Sequence, residues 1–328
     1  VNNTDGTCTA NITNNLSNRN AIINGAMIIS QRGVNFGTLA SAAYTLDRWN
    51  VDAGATVQQA SLAVDEISDD KKFTKAIQMQ GASSDYFRTK LEDVSNFSNQ
   101  TLILSFYVKG ASNTTLDNIY ARQNFGTGGS SVVDTAFSNL SYSVTTSYTR
   151  YTSTVTLPSI SGKTVGASSY LEIFMELPDS VTVYITGVQL EVDHTGSGKA
   201  TDFEHRSFAQ ELALCQRYFY RFTADNGDLF GIGMSVNANN HYFTMRFPQP
   251  MRIIPSYTGS SGTNLYLLTQ NTTGLMDTSN LVIAIPPTTP SPDMCIMYGN
   301  TSGTGTAGQA ALVQSQSDGI KMSYSAEL

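Results

Sequence analysis

The stretch TLILSFYV, residues 101–108, decides the fold class. Leu102, Leu104, Phe106 and Val108 alternate with Thr101, Ser105 and Tyr107. A period of two puts successive side chains on opposite faces of a strand, so one face of this segment is expected in a core. Working outward, Tyr151, Val155 and Leu157 repeat the pattern, as do Leu171, Ile173, Met175 and Leu177. In VTVYITGVQLEV (residues 181–192), Val181, Val183 and Ile185 share one parity while Val188 and Leu190 take the other. Gly187 sits at the change of phase, where a β-bulge would exchange the buried face. Strands recur from Ala21 to Phe203 with no helical pattern between them, which predicts a jelly-roll β-sandwich over 21–203.

Residues 204–222 break the rule. Phe208, Leu212, Cys215, Phe219 and Phe222 fall at spacings of four and three, and Ser207 with Gln210 three positions on forms a capping box. The spacing predicts a linking helix over 204–222. Its apolar stripe either packs on the chain's own sheet or lines the axis of a symmetric trimer. Strands resume over 223–328, with Phe243, Met245 and Phe247, then Leu281, Ile283 and Ile285, then Ile320, Met322 and Tyr324. Residues 1–20 are polar and Asn-rich and read as an extended anchoring arm. The expected class is therefore all-β: a jelly-roll β-sandwich plus a smaller C-terminal β-sandwich, joined by one short α-helix.

Composition narrows the function. Only 14% of the 328 residues are charged, against about 25% in an average soluble domain. A net charge of −7 opposes nucleic-acid binding, which needs basic residues to neutralise phosphates. No apolar run reaches the roughly 18 residues of a spanning helix, so no membrane insertion is expected. The three cysteines, Cys8, Cys215 and Cys295, form no C-x-x-C pair and read as free buried thiols. His194, His205 and His241 form none of the pairings that hold zinc or activate a nucleophile. Glu172 and Glu176 would share one face of a strand about 13 Å apart, too far for a glycosidase pair. Hence no catalytic residue is expected, and no enzyme. Gly303 to Gly308 matches G-x-G-x-x-G, but no helix follows to make a dinucleotide site.

Three aromatic residues, Trp49, Tyr257 and Tyr266, are candidates for stacking on sugar rings, with a core position the bland alternative for Trp49. The acidic residues Asp65, Glu66, Asp69 and Asp70 lie beside Lys71 and Lys72. They could supply oxygen ligands to calcium or form a solvated charged turn. No other cofactor is expected.

Several motifs carry a family likeness. NAIINGAMIISQRG (20–33) followed by YTLDRW (44–49) resembles the opening of a module found in structural proteins of tailed bacteriophages. TVYITGVQLEV (182–192) and ATDFEHRSFAQELALCQRYFY (200–220) resemble its closing strand and exit helix, and SYSAEL (323–328) resembles the ending of such proteins. Between them, LILSFYVKG (102–110) and the strands near Tyr151 and Leu171 resemble a carbohydrate-binding jelly roll of the galactose-binding type, a type that often carries structural calcium. The resemblance implies a virion surface protein, a tail fibre, capsid fibre or decoration subunit. It further implies a homotrimer or other symmetric assembly, capsid or tail proteins as partners, and contact with host or environmental glycans. A purely structural capsid cement protein and a polysaccharide-degrading tail spike are the alternatives.

Overall fold

A computed structural model describes residues 18–70, 72–259, 266–270, 274–278, 291–300 and 306–328. The chain divides into two compact units, Val1–Glu211 together with Leu328, and Leu212–Glu327. The single division thus falls inside the helical segment, whereas the sequence suggests boundaries at 203 and 223. Most of the expected arm, Cys8, the strand at Leu281–Ile285 and the start of the Gly303 motif lie outside the described residues.

The first unit opens with β1 (Asn35–Thr38), β2 (Ala43–Tyr44), β3 (Asn50–Val51) and β4 (Thr56–Ser61). It continues with β5 (Lys75–Gln80), β6 (Tyr86–Glu92), β7 (Thr101–Gly110) and β8 (Thr114–Asn124). It closes with β9 (Val133–Ala136), β10 (Ser141–Val144), β11 (Thr149–Thr156), β12 (Tyr170–Glu176) and β13 (Thr182–Val192). One sheet has the order β1-β4-β5-β13-β7-β11; the other runs β10-β8-β12-β6-β3-β2, with β9 paired to β8. All strand pairs within the two sheets are antiparallel. The result is the jelly-roll β-sandwich expected from the sequence.

The core lies between the sheets. Leu102, Leu104, Phe106 and Val108 of β7 meet Phe87 of β6 and Leu171, Ile173 and Met175 of β12 in one buried cluster. Each such side chain removed from water contributes about 1.5–3 kcal/mol before the entropy of ordering is subtracted. Trp49 belongs to this cluster: it is 1% exposed, its ring stacks 4.3 Å from that of Phe87, and its Nε1 donates to the Asn24 carbonyl at 3.0 Å.

The second face of β7 is also covered, which a period of two does not anticipate. Ile103, Ser105 and Tyr107 are all buried. Tyr107 joins Ala26, Ile67 and Phe73 in a smaller cluster, with Phe203 packed against it. The bulge at Gly187 makes this second layer fit. The pairing of β13 with β7 shifts register between Thr186 and Gln189, and Gly187 adopts φ +61°. Val183 and Ile185 before it and Val188 and Leu190 after it all enter the main core.

Polar residues of the quoted motifs tie the unit's ends to that bulged strand. Asn20 Oδ1 accepts from the backbone N–H of Ile22 and Leu190, and its Nδ2 donates to the Val188 carbonyl at 3.1 Å. Glu204 Oε2 accepts from the Asn20 N–H at 2.8 Å, while Gln189 Oε1 accepts from the Glu204 N–H at 2.8 Å. Arg206 donates to the Ile22 carbonyl at 3.0 Å and pairs with Glu211 at 3.3 Å. Gln31 grips both carboxylate oxygens of Asp47. Buried polar groups paired in this way favour one arrangement of the chain.

The second unit contains β14 (Phe219–Ala224), β15 (Leu229–Ser235), β16 (Asn240–Arg246), β17 (Ser256–Gly259) and β18 (Tyr266–Gln270). It ends with β19 (Gly274–Thr278), β20 (Met294–Asn300), β21 (Ala310–Ser315) and β22 (Ile320–Ser325). A three-stranded sheet, β14-β22-β17, faces a six-stranded sheet, β19-β18-β21-β15-β16-β20, across a core that includes Phe243, Val313, Met322 and Tyr324.

The helix α1 spans Phe208–Gln216, shorter than the predicted 204–222. Its capping box is as read: Gln210 Oε1 accepts from the Ser207 N–H at 3.0 Å, and Ser207 Oγ accepts from the Gln210 N–H at 3.3 Å. Phe219 and Phe222 lie instead on β14, so the five-residue seam does not exist as one helical face. The aromatic and β-branched run Tyr218–Thr223 favours a strand, and pairing with β22 captures it. Of the remaining stripe, Phe208 is 60% exposed while Cys215 is buried. Among the described residues no helix is long and apolar enough to cross a membrane.

Candidate functional site

The sequence candidates do not converge. Trp49 is sealed in the core and has no face to offer a sugar. Tyr257 is half-buried, its ring 5.3 Å from Tyr324 in the second unit's core. Tyr266 opens β18, and its side chain lies outside the described residues. The acidic group is dispersed into other contacts. Glu66 pairs with Lys109, Asp70 Oδ2 lies 2.5 Å from His205 Nε2, and Asp69 accepts from Ser68 Oγ at 2.8 Å. Among the described residues no group of three or more His, Cys, Asp or Glu is placed to hold a metal ion. Asp65, Glu66, Asp69 and Asp70 are thus not gathered as a calcium set, and two of them, Glu66 and Asp70, engage Lys109 and His205 instead.

A different constellation stands on the outer face of the second sheet. Strands β6, β12 and β8 lie side by side, and their outward parity carries aromatic and charged residues. Register sets them in rows across the strands. Arg88 faces Phe174, which faces Tyr120. One step along, Lys90 faces Glu172, Glu172 faces Arg122, and Arg122 faces Asp134 of β9. Neighbouring strands sit about 4.8 Å apart, so each row presents side chains at nearly that interval.

The rings form a platform. Phe174 stacks with Tyr120 at 5.6 Å between centroids, with an interplanar angle of 20°, and meets the edge of Tyr86 at 5.5 Å. The Arg122 guanidinium lies 5.0 Å from the centre of the Phe174 ring, and Lys90 lies 4.5 Å from that of Tyr170. Together Tyr86, Arg88, Tyr120, Arg122, Asp134, Glu172 and Phe174 line a cleft of about 330 Å³. A second hollow of about 390 Å³, beside β8 and the end of β12, is lined by Asp117, Asn118, Glu176 and Asp179 among others.

Electrostatics fix these groups in place. Arg122 donates Nε and Nη2 to the two oxygens of Asp134 at 2.7 and 2.8 Å, and its Nη1 lies 3.7 Å from Glu172. The hydrogen bond from Arg122 holds the Asp134 carboxyl below the ordinary carboxylate value, and the same bond raises Arg122. Arg88 pairs with Asp52. Its Nε is buried with no acceptor among the described residues. Burial pushes the Tyr86 and Tyr170 phenols up, so both stay protonated at neutral pH, able to donate and to accept. Asn124 Nδ2 donates to the Tyr170 hydroxyl at 2.9 Å. Glu172 and Glu176 do share one face of β12, the former turned to Arg122 and the latter accepting from Asn118.

Such a surface combines flat apolar rings with oriented donors and acceptors. That is the chemistry a sugar demands, with C–H faces to stack and hydroxyls to hydrogen-bond. Most of this site escaped the sequence reading. Its signal was the outward parity of YFRTKLE (86–92) and NIYARQN (118–124), where a tyrosine is followed two positions on by an arginine.

No family model matches the chain, and no curated protein matches it. Solved structures do resemble it. The CBM22-1 xylan-binding domain from Paenibacillus barcinonensis Xyn10C is 15% identical over 51% of this chain and 92% of that one, with a TM-score of 0.32. A putative sugar binding protein from Bacteroides thetaiotaomicron is 13% identical over 53% of this chain and 100% of that one, TM-score 0.35. The enzymatically active domain of bacteriophage CBA120 tailspike protein 4 is 14% identical, covering 53% of this chain but 21% of that one, TM-score 0.34.

Proposed function

We propose that the first unit is a non-catalytic glycan-binding module whose ligand lies along the outer face of β6, β12 and β8. The observation that carries this reading is the Tyr86–Phe174–Tyr120 platform, flanked by Arg88, Arg122 and Glu172 over one cleft. A hydrolytic role is disfavoured by the same geometry. A general acid needs a carboxyl raised toward neutrality, whereas Asp134 is held low by Arg122.

The protein is further read as a fibre or decoration subunit at the surface of a tailed-phage virion, assembled as a homotrimer with capsid or tail partners. The support is the sequence resemblance at residues 20–33, 44–49, 182–192 and 200–220. Weak single sites would then act together through the copies of one assembly.

Affinity electrophoresis of the whole chain through gels containing polysaccharide tests the site. Tyr120→Ala and Phe174→Ala should each weaken retention about tenfold, as loss of a stacking anchor does. Unchanged retention in the double variant, with circular dichroism preserved, overturns the assignment. Light scattering of the purified chain and its location in a virion map test the assembly.

A further inference from the structure

We infer that the face selects uncharged glycans and excludes polyanionic ones such as uronate polymers, because each arginine in the cleft is already neutralised by a carboxylate. This rests on the glycan-binding reading of that face and specifies its ligand class.

Recognition of a sugar carboxylate, sulfate or phosphate relies on a free guanidinium fork or ammonium group. Arg122 offers no fork. Its Nε and Nη2 are spent on both oxygens of Asp134, and Nη1 turns to Glu172. Arg88 is committed through Nη2 to Asp52, which offsets its charge beside the cleft. Lys90 lies against the Tyr170 ring and faces Glu172 across the ladder. Continuing along β8 and β12, the adjoining hollow adds Asp117, Glu176 and Asp179 to its lining. An anionic polymer laid along these strands would meet Glu172 and Asp134, then Asp117, Glu176 and Asp179, and no arginine of the cleft without a carboxylate partner. The chain's overall charge of −7 adds a repulsive background. An uncharged sugar meets no such penalty, and ion pairs held in fixed orientations present donors and acceptors with little reorganisation on binding.

The test compares retention of the full chain by uncharged polysaccharides (xylan, mannan, mixed-linkage glucan) and by polygalacturonate and alginate, in low salt. Wild-type protein should bind at least one uncharged polymer, bind it about tenfold more weakly on Tyr120→Ala, and pass the uronate gels unretarded. Asp134→Ala, at a partly exposed strand position, releases the Arg122 fork. It should raise retention by the uronate polymers about fivefold, the scale of one freed and partly screened charge. The gain should vanish at 0.5 M salt, on the order of a fourfold shorter screening length than at low salt. Wild-type binding to a uronate polymer that Tyr120→Ala weakens would overturn the inference while leaving the site in place. Failure of every polymer, or binding indifferent to Tyr120→Ala, would remove the glycan reading itself. An unaltered uronate response in Asp134→Ala, with native circular dichroism, would refute the charge-pairing account.

Discussion

Asp134 and Arg122 illustrate how much of this protein's chemistry is set by pairs distant in sequence. Twelve positions separate them, and β8 and β9 must pair before the guanidinium finds both oxygens. The bond lowers the Asp134 carboxyl from its ordinary 3.8, so the folded state binds that proton less readily than the unfolded chain does. The stabilisation is therefore fully present above the ordinary value and lost as pH falls through the lowered native one. Urea unfolding of wild type and Asp134→Asn should differ in midpoint at pH 6 and converge by about pH 2. A difference that persists undiminished in acid would mean the pair contributes nothing through ionisation. None of this was legible residue by residue. Trp49, by contrast, attracts notice as the lone tryptophan, and the structure takes it out of contention because its ring is stacked on Phe87 inside the core.

Among the elements, the phase change in β13 and the start of α1 were legible, and the end of α1 was not. The parity change in VTVYITGVQLEV located the bulge because apolar residues on both sides of Gly187 answer to one core. At Gly187 a Cβ would come within 2.7 Å of Phe73 Cζ and 2.9 Å of Tyr107 Cδ2, and the backbone stands at φ +61°. Gly187→Ala should therefore cost at least about 2 kcal/mol, combining left-handed strain with overpacking. Chemical denaturation measures it; a loss under half that size would show that the second layer can yield. Gly25 makes a related close approach, since a Cβ there would lie 2.1 Å from the Val188 carbonyl oxygen. In α1, helical spacing carried the reading past the true end at Gln216, because Phe219 and Phe222 continue the same 3.5-residue spacing by chance while serving a ladder with β22. Spacing reports which residues are apolar; it does not report which partner strand is waiting. The strands β6, β8 and β12 were missed as a site for a related reason. Their apolar inward residues announce the core, whereas the meaning of the outward ones appears only when three strands stand side by side.

For the molecule as a whole, the lone tryptophan becomes an instrument. Trp49 sits in the core of the first unit, on the inner side of the sheet whose outer face carries the cleft. Its fluorescence should be blue-shifted and poorly quenched by acrylamide, and saturating glycan should leave its maximum unmoved, whereas unfolding of that unit should red-shift it. A shift on ligand binding in folded protein would place the sugar elsewhere than on β6, β12 and β8. The composition anticipated this architecture in outline: few charges, many turns and many aromatic residues belong to sandwiches with polar loops. What composition could not convey is that the motifs most evocative of a family, Asn20 to Gly33 and Thr201 to Glu211, carry the hydrogen bonds that close the first unit.

That closure bears on how such a unit can travel. Where Asn20 and Glu204 share a hydrogen bond, the points at which the chain enters and leaves the sandwich are neighbours. A cassette whose two ends meet adds almost no loop-closure entropy to whatever polypeptide receives it, and demands no change in the recipient's geometry beyond a gap one strand wide. Recombination could therefore move it between unrelated carriers as a single graft, each acquiring the same outward-facing sheet. The Asn, Gln, Glu and Arg that hold the seam shut would travel with it as its mark.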